Sequence, residues 1–147
     1  MNAYLLIGEP GTRKSSLLRS LTGCFNRSDR DIQLLDGRTI RIYARVSTLQ
    51  ESKTTPKDFL AEVGKRNCLN VIFSLLPDPN PLFPIPFPDA QTYIDTFLDA
   101  GWNFAGTAVV GIHPISPALE NVAHFPRAAA LPINIVARNI RDHFGWH

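Results

Sequence analysis

Between Gly8 and Ser16 the chain reads GEPGTRKSS, and this run holds residue types suited to binding polyphosphate. Gly8 and Gly11 can take backbone conformations that residues with a side chain avoid, so several N–H groups can turn towards one point. A helix starting near Lys14 brings its unpaired first N–H groups and the positive end of its dipole to the same place. The Lys14 ammonium reaches outer phosphate oxygens as a point charge, and the Ser15 hydroxyl stands one residue on. Such a site needs a strand that delivers the chain to Gly8 and a helix that leaves from Lys14. Both are written in the flanks. Tyr4 to Ile7 is an apolar run that reads as a buried first strand. Leu17, Leu18 and Leu21 recur at helical spacing, and Gly23 follows as a left-handed stop, which predicts a helix from about Lys14 to Thr22.

Gly8 to Ser15 (GEPGTRKS) resembles the P-loop, or Walker A motif, of nucleoside triphosphatases and kinases, whose pattern is GxxxxGK[ST]. The resemblance covers about residues 3–23. It implies a nucleoside triphosphate, with ATP ahead of GTP on the GEPGT start, held by Gly8, Glu9, Pro10, Gly11, Thr12, Arg13, Lys14, Ser15 and Ser16. Within that set it implies Lys14 on the outer phosphates and Ser15 on Mg2+, with Ser16 as the fallback. Arg13 departs from the pattern, since it stands where the second glycine belongs. Two consequences are open: the loop relaxes and the guanidinium adds charge near the phosphates, or the loop distorts and no longer closes on nucleotide. In the family the strand beside the P-loop ends in an acid that helps hold magnesium. The nearest match here is Asp78, two positions beyond the apolar run Leu69–Leu76 and set between Pro77 and Pro79. Arginines from a lid often reach the transferred phosphate in P-loop kinases, a role open to Arg127. The implied function is nucleotide binding with slow NTPase or phosphoryl-transfer activity. The alternative, prompted by Arg13 and the lack of a recognisable general base, is a non-catalytic P-loop-derived module that binds a protein or nucleic-acid partner.

With 147 residues, 44% hydrophobic and 19% charged, the chain has the composition of one globular domain spanning residues 1–147. No apolar run is long enough to cross a bilayer and the N-terminus lacks a basic leader, so the expected location is cytoplasmic and no membrane partner is expected. The net charge of +2 is unevenly spread: residues 1–66 hold 12 Lys and Arg against 7 Asp and Glu, the remainder 3 against 6. The basic half contains the candidate loop, which would suit polyphosphate or nucleic acid. Yet Arg19, Arg27, Arg30, Arg38, Arg41 and Arg45 are interleaved with acids and apolar residues, which favours a solvated surface. Cys24 and Cys68 match no metal-ligand spacing and read as buried free thiols, and the four histidines form no ligating pair.

Beyond the first helix, Asn26–Arg30 reads as a polar connection. Asp36-Gly37, between Ile32/Leu34 and Ile40/Ile42, marks an antiparallel hairpin. Thr55-Pro56 starts a helix to about Arg66. Leu69–Leu76 has the continuous apolar character of a parallel strand buried on both faces, the expected neighbour of the first strand. Residues 77–88 (PDPNPLFPIPFP) carry six of the twelve prolines and cannot be helical. They read first as a stiff connector packing its aromatics over the sheet, and otherwise as a lid or a protein-binding surface. Asp89 caps a helix ended by Gly101, and Phe104–Ile112 is a further buried strand leading to His113, a candidate site residue at the strand's carboxyl end. A short helix is expected from Ser116-Pro117 to about His124, and another from Pro132 to Gly145. Together these elements predict a three-layer α/β domain with a mostly parallel sheet and a hairpin after the first helix.

Overall fold

The computed structural model describes residues 1–111, 119–126 and 131–147. Elements follow in the order β1 (Asn2–Gly8), α1 (Lys14–Thr22), β2 (Arg27–Gln33), β3 (Thr39–Arg45), α2 (Pro56–Gly64), β4 (Asn70–Leu75), α3 (Ala90–Asp99), β5 (Asn103–Val110), β6 (Val122–Phe125) and α4 (Ile133–Phe144). One six-stranded sheet has the order β2-β3-β4-β1-β5-β6, with only the edge strand β2 antiparallel to its neighbour. The chain is therefore α/β with a mostly parallel sheet, and the hairpin lies at one edge.

Alternation along the strands sends successive side chains to opposite faces. Tyr4, Leu6, Ile72, Ala108 and Val110 pack with Leu17, Leu18 and Leu21 of α1 and with Val136, Ile140 and Phe144 of α4. Leu5, Ile7, Tyr43, Val71, Phe73 and Leu75 pack with Phe59 and Val63 of α2 and with Tyr93, Ile94 and Phe97 of α3. Burial on both faces explains why β1 and β4, the two central strands, read as continuous apolar runs. Helix α2 is capped as the sequence indicates, the Thr55 hydroxyl accepting from the Asp58 N–H at 3.0 Å with Pro56 in the first turn. Asp89 does the same for α3 through the Thr92 N–H.

Four expectations need correction. Residues 27–30, read as a polar connection, belong to β2. An edge strand facing water can be charged throughout, and Arg41 of β3 holds Asp29 and Asp31 across the ladder. Residues 122–125, read as the end of a helix, form β6, a short parallel strand beside Thr107–Val110 of β5. Pairing with an open sheet edge overrides local helical signals there. Arg45, grouped with the surface arginines, is 3% exposed. In the proline-rich segment Leu82 and Ile85 are 80% and 90% exposed and Phe83 is also exposed, so the connector does not lay them over the sheet. It is nonetheless tied down: the Asn80 side chain donates to Gln50 O and accepts from the Leu82 and Phe83 N–H groups, and Lys53 stands over the Phe83 ring. The expectations for His113, for the Ser116-Pro117 helix start and for Arg127 lie outside the described residues. Cys24 and Cys68 are buried and free. Among the described residues no helix is long and apolar enough to cross a membrane.

Candidate functional site

The turn from β1 to α1 begins at Gly8 and gathers around one carbonyl. Glu9 O accepts from the Thr12 hydroxyl at 2.7 Å, from the Lys14 ammonium at 2.8 Å and from the Thr12 N–H at 3.3 Å. The Lys14 ammonium also donates to Thr12 Oγ1 at 3.2 Å. This inward fold buries Thr12 and Lys14 to 4% exposure. Gly8 permits it, because a Cβ there would lie 2.6 Å from Thr12 Oγ1. Glycine is thus required by close approach at Gly8 and by dihedral at Gly11, where φ is +83°.

Arg13 adopts φ 63°, ψ 36°, the left-handed conformation that a glycine would take without strain. It precedes the first helical residue, accepts the Leu17 N–H at 3.0 Å and leaves its side chain exposed. No side chain caps α1 and no acidic residue stands in its first turn. The first N–H groups of the helix and its positive dipole end therefore meet no carboxylate of that turn. Burial lowers the Lys14 pKa from 10.5 to about 8, against the opposing fields of Glu51 and Glu9. Lys14 is thus still cationic at neutral pH. A buried cation, a helix start without a side-chain cap or first-turn acid, and two glycines that shape the turn make an arrangement fit for a polyanion.

The loop's place in the sheet points the same way. The helix that follows β1 packs on one face and the helix that follows its neighbour β4 packs on the other. Strand connections thus diverge between β1 and β4, and in open α/β sheets ligands bind outside the carboxyl ends at such a point. The loop from Gly8 to Arg13 lies at that end of β1. Of the nine residues read from the sequence, Gly8 ends β1, Glu9 to Arg13 form the turn and Lys14 to Ser16 open α1. Asp78 is exposed and does not line the cavity beside Ser15.

That cavity, of about 170 Å3, is lined by Ser15 and by Ser47, Thr48, Glu51 and Ser52 of the segment after β3. Thr48 is buried, its hydroxyl donating to Glu51 Oε1 at 2.8 Å and accepting from the Glu51 N–H at 3.3 Å. The segment is fixed from behind. Arg45 reaches both carboxylate oxygens of Glu62 at 2.9 Å through one guanidinium nitrogen, and Ser52 Oγ and Thr54 Oγ1 at 2.9 Å through the other. Tyr43 donates to Glu62 at 2.7 Å. Fully buried Gln50 bonds both the N–H and the carbonyl of Leu76, joining the segment to the end of β4. Apart from Ser15, none of the residues lining this cavity figured among the sequence candidates. The signal available was a hydroxyl- and carboxyl-rich run, STLQES, at the carboxyl end of a strand, which becomes informative once β3 is known to be parallel to β4.

The residues lining the cavity carry only oxygen as side-chain ligand atoms, the chemistry that suits Mg2+ rather than a softer metal. No family model, no curated protein and no solved structure matches the chain.

Proposed function

We propose that this chain is a nucleoside triphosphate-binding protein of P-loop-like, three-layer architecture, with slow NTPase or phosphoryl-transfer chemistry as its activity and the cytoplasm as its setting. The observation that carries the reading is the conformation of Gly8–Lys14. Despite the missing glycine, Arg13 takes left-handed dihedrals, and the loop presents a buried Lys14 at a helix start with no acidic residue in its first turn. In this reading the loop backbone and Lys14 receive the phosphates, and the Ser15 hydroxyl is a ligand of the Mg2+ that accompanies them. The metal when bound neutralises developing phosphate charge. The chain's own part is to position the triphosphate and to hold the Lys14 ammonium beside it.

A second reading is supported by the exposed Leu82, Phe83 and Ile85 on a tethered segment, which fits a non-catalytic module that docks a protein partner. A nucleic-acid partner has less support, because Arg27, Arg38, Arg41 and Arg45 each have a carboxylate partner. Calorimetric titration with Mg-ATP and Mg-GTP separates the classes. The nucleotide reading expects saturable heat with at least one of them and its loss in Lys14→Ala. Absence of heat with both leaves the docking module.

A further inference from the structure

The strand beside the loop carries no carboxylate to serve a metal. On the α1 face of β4 the residue paired with Leu6 is Ser74, and the first acid after the strand, Asp78, is exposed and off the cavity. Across the crevice, by contrast, Glu51 shares the cavity with Ser15, its carboxylate oriented by the buried Thr48 hydroxyl and by Thr48's contact with the Glu51 N–H. Arg45 and Gln50 hold this segment rigidly on two sides. We infer that Glu51, positioned by Thr48, is the acidic residue that serves the nucleotide-associated Mg2+ opposite Ser15, in place of an acid at the end of β4. The inference rests on the nucleotide reading and gives that site its cation-binding half.

Three features carry it. Mg2+ is held by one or two carboxylates together with substrate phosphates and retained waters, so a single carboxylate among hydroxyls is a sufficient protein contribution once phosphate is present. The cavity, about 170 Å3 and open to solvent, leaves room for a partly hydrated ion beside Glu51 and Ser15. Glu51 is also near enough to Lys14 to act on its charge, which places the carboxylate beside the group that meets the outer phosphates. The corollary is that the cation binds weakly alone and tightly with the nucleotide.

The test is the Mg2+ dependence of nucleotide affinity, read by calorimetric titration of ATP and GTP with and without Mg2+, on the wild-type chain, Glu51→Gln, Thr48→Val and Asp78→Asn. Circular dichroism checks that each variant is folded. The expected result is that Mg2+ tightens binding in the wild type, and that Glu51→Gln loses about 10-fold or more of that gain while metal-free binding is maintained. Thr48→Val loses part of it and Asp78→Asn none. An unchanged Mg2+ gain in Glu51→Gln overturns the inference and leaves nucleotide binding standing, even if turnover falls, since the carboxylate would then be acting on a proton. Loss of the gain in Asp78→Asn alone assigns the metal to Asp78 instead. Failure of the wild type to bind either nucleotide removes both the reading and the inference built on it.

Discussion

Replacing Arg13 by glycine releases a left-handed residue from steric strain of about 1–2 kcal/mol, part of which is returned as the greater entropy of an unfolded glycine. Urea denaturation should show Arg13→Gly more stable than the parent by up to about 1 kcal/mol, with Arg13→Ala close to the parent because its Cβ keeps the strain. The same pair of variants reports on the guanidinium: weaker nucleotide binding in both makes it a phosphate ligand, whereas stronger binding in glycine alone makes the Cβ an obstruction. Lys14 supplies a pH signature. Its pKa is 10.5 as a free side chain and about 8 in the fold, so between these values the unfolded chain holds more protons and the free energy of unfolding rises with pH. Below pH 8 the cost of burying the charge is present in full, and above 10.5 it is gone. Subtracting the stability profile of Lys14→Met from that of the wild type should leave a rise across this window. A flat difference would mean that Lys14 is not buried as a cation.

At the scale of elements, the segment after β3 depends on Arg45. Its guanidinium is nearly buried, paired with Glu62 and bonded to Ser52 and Thr54, so Arg45→Ala removes one donor from each of these groups and leaves Glu62 with the Tyr43 hydroxyl and Arg27. Losing a charge-assisted contact of this kind to a partly exposed carboxylate costs about 1.5–3 kcal/mol, and the urea midpoint of this variant should fall accordingly. A change below 1 kcal/mol would show that the segment is held by other means. Much of this layer was legible in the sequence. Helix α1 runs from Lys14 to Thr22 as its leucine spacing and Gly23 indicate, and β4 lies beside β1 as its unbroken apolar run suggests. What escaped was what only tertiary contact decides. The charged run of β2 has no apolar alternation to betray a strand, since none of the side chains of Arg27–Asp31 is buried on either face. The inward turn of Arg45 depends on a carboxylate 17 positions away on another element. The role of Glu51 needed the strand order, because a carboxyl-end loop acquires meaning only when its strand is placed beside others running the same way.

Across the whole molecule, the divergence of helices between β1 and β4 sets Gly8–Arg13 at the crevice. The segments after β3 and β4 form adjoining parts of the same edge, joined through Gln50 and Asn80. A single edge therefore carries the cationic loop, the oxygen-lined cavity and the exposed apolar residues 82–85, while the rest of the sheet is closed by two packed cores. This concentrates every proposed contact on one side and makes the central claim directly measurable. Backbone amide shifts of the isotopically labelled chain, followed as Mg-ATP or Mg-GTP is added, should move first and furthest at Gly8–Ser16, with smaller changes at Ser47–Ser52, and Lys14→Ala should abolish both. Saturating shifts confined to other surfaces, or none with either nucleotide, would contradict the account.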